Sequence, residues 1–180
     1  MTPVWRLGNE DQSRVLSKFD RLAVGLQVIQ ILLPGNAGIY YGEEIQMRNH
    51  PSISFEETVD VVALDAGADA YAKVSRDPFR TPMQWNNSRN AGFTSAKIPW
   101  LPLTYNEQNA MSQMTRMTSI WNTIQQLGRL KKSSTALLNG SIDFPVVDEA
   151  IFSFTRFEIQ GNPYQVDQVY SYLLRNFENR

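Results

Sequence analysis

The sequence predicts an α/β chain, and three observations carry that reading. A strand–helix–strand pattern stands near the front, a long aperiodic segment follows it, and alternating strand-like runs come late. Val4-Trp5-Arg6-Leu7 is a short strand candidate closed by Gly8. Phe19, Leu22, Ala23, Leu26, Ile29, Gln30 and Leu33 recur at three- and four-residue steps, the spacing of one apolar helix face, and Pro34-Gly35 stops it. Ile39-Tyr40-Tyr41, between Gly38 and Gly42, reads as a short buried strand. Elements in that close succession make a βαβ unit, which requires a parallel sheet and a right-handed crossover.

From Glu43 to about Asn109 periodicity fades into Pro, Asn, Ser and Asp with isolated aromatics. A loop of that length in a compact domain is usually functional. Met114, Met117, Trp121, Ile124 and Leu127 restore helical spacing, with Lys131 and Lys132 where cations suit the end of the helix dipole. Met111, Met114 and Met117 are expected in that helix's core or at its edge. The run from Ala150 to Phe157 and the run from Gln168 to Leu174 alternate polar and apolar, so they are expected as antiparallel strands of a separate unit. No internal repeat is present.

Composition narrows the function. The chain has 180 residues, 42% hydrophobic and 19% charged, which is a globular composition. The charge sum, 17 − 18 = −1, lacks the basic footprint of a nucleic-acid binder. There is no cysteine, so no disulfide, thiolate metal site or cysteine nucleophile lies in this chain, and the single histidine, His50, makes no zinc cluster. Met1 to Trp5 has no basic region followed by an apolar run, so no signal peptide is expected in this stretch. Leu22 to Leu33 is shorter than the ~20 residues a membrane span needs. The sequence stops just after a strand-like run, at Asn176 to Arg180, which suggests an excerpt.

The residues then become specific. Trp5-Arg6-Leu7-Gly8-Asn9-Glu10-Asp11-Gln12-Ser13-Arg14 resembles the fourth conserved segment of the α-amylase superfamily of glycoside hydrolases, whose usual form is Asn-His-Asp. Leu33-Pro34-Gly35 and Tyr40-Tyr41-Gly42-Glu43-Glu44-Ile45-Gln46-Met47 resemble its final barrel strand. Arg76 to Ser88, with Asn90-Ala91-Gly92-Phe93, is similar to the maltase (α-glucosidase) branch, and Ile53 to Asp60 to the insect maltases within it.

The resemblance implies the last two strands and helices of a (β/α)8 TIM barrel over residues 1–132, followed over 133–180 by the start of an antiparallel C-terminal β-sandwich domain. Six strands of such a barrel, typically about 250 residues in all, would lie outside this chain. The implied parent is a retaining glucosidase that removes terminal α-1,4-linked glucose from maltose and short oligosaccharides. It uses no cofactor and no nucleic acid, and it is secreted or membrane-anchored outside the cell. Its nucleophile and general acid/base precede this chain, so the isolated chain is expected to be inactive, and whether it counts as an enzyme stays open. Asp11 matches the family's third, transition-state-stabilising carboxylate, and Arg76 an arginine that binds the terminal glucose, with Arg80 close by in sequence as a rival. No metal ligand is assigned.

Glu10 stands where the family has histidine, and an ionised glutamate only accepts hydrogen bonds. A degenerate homologue, altered sugar contacts, and a side chain turned away are three open explanations. The alternative parent is a catalytically degenerate binding protein, such as an amino-acid transporter heavy chain, a receptor or a salivary protein. Plainer readings stand beside these. Asp11 alone reads as a helix N-cap, Glu44 as a solvated loop residue, Arg76 and Asp77 as a surface ion pair, Tyr40 and Tyr41 as packing, and His50 as exposed. Asn86-Asn87-Ser88 and Asn139-Gly140-Ser141 are glycosylation sequons that permit a secreted origin.

Overall fold

The computed structural model describes residues 2–104, 108–148, 151–159 and 166–175. Two compact units interleave along the chain: Met1–Trp5, Val24–Gly38 and Ile124–Arg180 form one, Arg6–Ala23 and Ile39–Thr123 the other. Ala150 and residues 176–180, used in the strand and excerpt expectations, lie outside the described residues.

In the first unit, β1 (Val4–Arg6, whose last residue belongs to the second unit) pairs with β2 (Asn36–Gly38). The expected strand at Ile39–Tyr41 is therefore displaced toward the N-terminus. The Asn36 N–H reaches the Pro3 carbonyl at 2.9 Å, and Gln30 Nε2 on the preceding helix donates to Trp5 O (2.9 Å) and Gly38 O (2.7 Å), bracketing both strands. The helix between them is also shorter than its periodicity suggests. It divides into α1 (Val15–Phe19), a single turn at Asp20–Leu22, and α2 (Ala23–Leu32). The break is at Asp20, whose φ of 43° and ψ of −120° lie outside the helical region.

Ile29 and Leu32 of α2 meet Leu137 of α7 (Thr135–Asn139) and Phe154 of β4 (Ile151–Ile159) in one apolar cluster, flanked by Leu127 and Leu130 of α6 (Ile120–Ser133). β4 is the centre of a three-stranded antiparallel sheet, between β3 (Ser141–Asp143) and β5 (Val166–Arg175). Phe154 pairs with Tyr172 and Thr155 with Ser171, the antiparallel arrangement that the alternation predicts.

Two cations finish this core. The Lys131 ammonium donates to Ile31 O (2.6 Å) and Leu33 O (2.9 Å), so it caps the end of α2 rather than its own helix. Arg156 is fully buried and donates to Leu32 O (2.8 Å), Ala136 O (2.9 Å) and Gly140 O (3.0 Å). Leu32 O is one of the carbonyls that the end of α2 leaves without an intrahelical partner. Burial pulls the pKa of both cations down.

The second unit holds α1, α3 (Val61–Ala66), α4 (Tyr71–Val74) and α5 (Ala110–Met114), joined by single turns and extended chain. Its core is Ile45, Met47, Met83 and Ala110, with Tyr41 and Trp121 against it. The second expected helix is split between α5 and α6, and Met111, Met114 and Met117 are exposed rather than in a core. The inward positions of α5 are Ala110 and Gln113. Gln113 donates to Ile45 O at 3.0 Å and accepts from Trp121 N at 3.2 Å, so a polar side chain takes the place the methionines were expected to fill.

Candidate functional site

The segment Gly8–Arg14 is shaped from behind. A Cβ on Gly8 would fall on the Glu43 carboxylate, which would have to move to admit it, so glycine lets the loop pass close to that side chain. Asn9 Oδ1 accepts from Asp11 N at 2.9 Å and turns the chain. Arg14 is fully buried at the segment's far end. Its N–H donates to Asn49 Oδ1 (2.9 Å), its Nη1 to Tyr41 O (2.7 Å), and its guanidinium lies 5.3 and 4.8 Å from the Tyr40 and Tyr41 ring centroids. Stacking on aromatic faces gives the rest of the desolvated cation electrostatic company. Tyr40 and Tyr41 therefore do more than fill space. Burial lowers the Arg14 pKa against the opposing effect of those rings.

Glu43 and Glu44 open a single turn at Glu43–Ile45. Glu43 is 3% exposed, and its Oε2 accepts from Tyr40 N at 3.3 Å. Desolvation pushes its pKa up to about 7, opposed by that hydrogen bond and by Arg14. Glu44 is half-buried, not solvated, and burial raises its pKa too.

Asp11 is the point on which the site converges. Its Oδ1 accepts from Arg76 Nη1 at 3.1 Å and from Arg80 Nη2 at 2.8 Å, while its side chain stays 57% exposed. Arg80 Nε also donates to the Glu10 carbonyl at 2.8 Å, which ties the backbone just before Asp11. Arg76 is aimed in turn by Asp60. Its Nε meets Asp60 Oδ2 at 2.9 Å and its Nη2 meets Oδ1 at 2.6 Å, a two-pronged pair that fixes the guanidinium plane. The same carboxylate accepts from Arg76 N (2.8 Å) and, as N-cap of α3, from Val62 N (3.2 Å). The Arg76 guanidinium, then these backbone N–H groups, hold the Asp60 pKa far below the usual carboxylate range despite its burial, and Asp60 raises that of Arg76. Asp77, fully buried, accepts from Val59 N (2.8 Å) and Asp60 N (3.0 Å) and so anchors the residue that aims Arg76.

The structure brings Asp11 and Arg76 together, and it sets Arg80 on the same Asp11 oxygen. Arg76 and Asp77 are not paired with each other: one serves Asp11 and Asp60, the other is buried under two N–H groups. Asp11 caps no helix here, because the cap position of α1 is Arg14. Glu10 is exposed, and Arg80 holds its backbone carbonyl. His50 is half-buried, its Nδ1 accepting from Ser52 N at 3.3 Å. Asp60 is the functional residue that motif reading missed. Its signal was its place immediately before the apolar run Val61-Val62-Ala63-Leu64, where an aspartate caps a helix. Among the described residues, no group of three or more His, Asp or Glu could hold a metal ion. No helix among them is long and apolar enough to cross a membrane.

The family model for the alpha amylase catalytic domain matches residues 1–140. Maltase 1 of Drosophila virilis is 39% identical over 162 residues, covering 88% of this chain and 25% of that protein. The salivary alpha-glucosidase of Anopheles gambiae is 42% identical over 131 residues, covering 71% of this chain and 22% of that protein. Among solved structures, the isomaltulose synthase of Klebsiella sp. LX3 superposes with a TM-score of 0.73 at 29% identity, over 85% of this chain and 32% of that one. The chain spans about a quarter of the length of these relatives.

Proposed function

The chain belongs to the alpha-amylase catalytic-domain family, and from that premise we propose that it is the C-terminal part of a retaining α-glucosidase of the maltase type. Residues 1–132 are the last two strands and helices of the (β/α)8 barrel, and residues 133–180 begin the C-terminal β-sandwich. The whole protein removes terminal α-1,4-linked glucose from maltose and short oligosaccharides, and it is secreted. The nucleophile and the general acid/base come from strands that this chain does not contain.

One observation supports the reading above the others. A carboxylate more than half exposed has a single oxygen fixed by two guanidiniums, one of them aimed by a buried aspartate. Glycoside hydrolysis passes through an oxocarbenium-like state. A carboxylate already oriented beside the ring stabilises that developing positive charge without reorganising. Asp11 takes this part. Arg76 and Arg80 keep its Oδ1 in place, and Arg76, at the rim of the same site, donates to hydroxyls of the terminal glucose. Glu10 offers an acceptor where relatives of this kind present an imidazole.

The test is Asp11→Asn in the full-length protein. The amide keeps the shape and loses the charge, so kcat on maltose is expected to fall about 10²–10³-fold with the fold intact by circular dichroism. The isolated 180-residue chain is expected to release no glucose. A full-length Asp11→Asn variant with unchanged kcat would remove Asp11 from the chemistry.

A further inference from the structure

Two sequons lie in the chain, and the structure treats them differently. Asn139 is the last residue of α7, exposed, with Gly140 and the exposed Ser141 of β3 following it. The backbone beneath is fixed from inside, since Gly140 N reaches Ala136 O at 3.0 Å and Gly140 O accepts from the buried Arg156. The sequon is thus presented on a rigid helix-to-strand turn, with both side chains that matter on the outside.

Asn86 is half-buried. Its Oδ1 accepts from Ser88 N at 2.8 Å and from Ser88 Oγ at 2.6 Å, which engages the Ser88 hydroxyl and fixes the amide plane. Its Nδ2 lies 2.6 Å from where a Gly92 Cβ would be, with that amide's other atoms at 2.8 and 2.9 Å. Gly92 has φ of 70°, and the amide is laid flat against it. The same side chain lines a cavity of about 370 Å³ with Gln84, Asn90 and Thr104. A sugar on Nδ2 would have to lift the amide off Gly92.

We propose that Asn139 carries an N-linked glycan and that Asn86 does not. In the transfer, Asn139 Nδ2 displaces the diphosphate at C1 of the first N-acetylglucosamine of a lipid-diphosphate-linked oligosaccharide. The C1–O bond breaks, the C1–N bond forms, the amide gives up one proton, and the lipid diphosphate leaves. The Ser141 hydroxyl, two residues on, completes the acceptor. The proposal rests on the secretory routing in the functional reading above, and its test separates the two.

The full-length protein is expressed in insect cells in two forms, one with its natural N-terminal region and one behind an added cleavable secretion signal. Glycan is read as a mobility shift removed by peptide-N-glycosidase, and sites by the Asn-to-Asp conversion that enzyme leaves. With the added signal, Asn139 is expected to be converted and Asn86 not. Asn139→Gln and Ser141→Ala each abolish conversion at position 139, and Asn86→Gln changes nothing. Glycan on Asn86, or an unmodified Asn139 in secreted protein, overturns the proposal. If Asn139 is modified only behind the added signal, the site assignment stands and the secretory routing falls.

Discussion

The two units are built on opposite principles. The unit around α2, α7 and β4 buries Ile29, Leu32, Leu137 and Phe154 together, and its two inward cations, half-buried Lys131 and buried Arg156, donate to backbone carbonyls at the end of α2 and beyond it. The unit that carries Asp11 has a smaller apolar core and short helices, and it is tied by charge: Arg14 under two tyrosines, Asp60 under Arg76, Asp77 under Val59 and Asp60. Apolar burial is non-directional and tolerates small shifts. Charge-assisted hydrogen bonds are directional and fix a side chain in one pose. A scaffold is served by the first, a pre-oriented carboxylate by the second.

The largest expected effect tests the apolar unit. Phe154 is 1% exposed at the centre of its cluster. Phe154→Ala opens a cavity and should cost about 4 kcal/mol, a fall of roughly three decades in the hydrogen-exchange protection of α2 and β4 amides in the full-length protein. A fall below one decade would mean that the cations, not the apolar cluster, hold this unit.

The next effect tests the charged unit through pH. Glu43 has a folded pKa near 7 against an ordinary 4.5. A raised carboxyl pKa means that the folded state binds the extra proton. Stability is therefore fully present below about pH 4.5 and is lost as pH rises through 7, on the order of 3 kcal/mol in all. Glu44 shifts in the same direction, and the depressed pKa of Asp60 acts only at the acid end. Urea midpoints are expected to fall between pH 5 and 8, with Glu43→Gln flattening most of the slope. An unchanged slope in Glu43→Gln would mean that Glu43 is ionised in the fold at neutral pH.

How much of this was legible in sequence follows the same division. Helical spacing located α2 because Leu26, Ile29 and Leu33 answer to a period, and alternation located β4 for the same reason. Parity even places Arg156 on the face of Phe152 and Phe154, although a lone arginine in a strand invites an outward reading. The displaced β2 was not legible, because Asn36-Ala37-Gly38 has no strand-forming side chains and is a strand only through its pairing with β1. In the site, Asp11 and Arg76 were legible through a motif that resembles a known family. Asp60 and the pairing of Arg80 with Asp11 were not, because contacts over 16 and 69 residues leave no periodic trace.

The smallest effect sharpens the difference between a directed charge and a decorative one. Asp60 and Asp20 both pair with an arginine at 2.6 Å, and distance alone ranks them equal. The Asp60 side chain is 1% exposed, whereas Asp20 and Arg48 are 74% and 52% exposed. A buried charge-assisted pair loses its partner's compensation when one side is neutralised, so Asp60→Asn should cost about 2 kcal/mol. It should also lower kcat in the full-length protein, because Arg76 is no longer aimed at Asp11, and half-molar salt should leave both effects standing. Asp20→Asn removes only a solvated pair, so no measurable change in unfolding midpoint or kcat is expected. Equal effects from the two substitutions would break the account, because burial and aim, rather than proximity of opposite charges, are what separate the site from the surface.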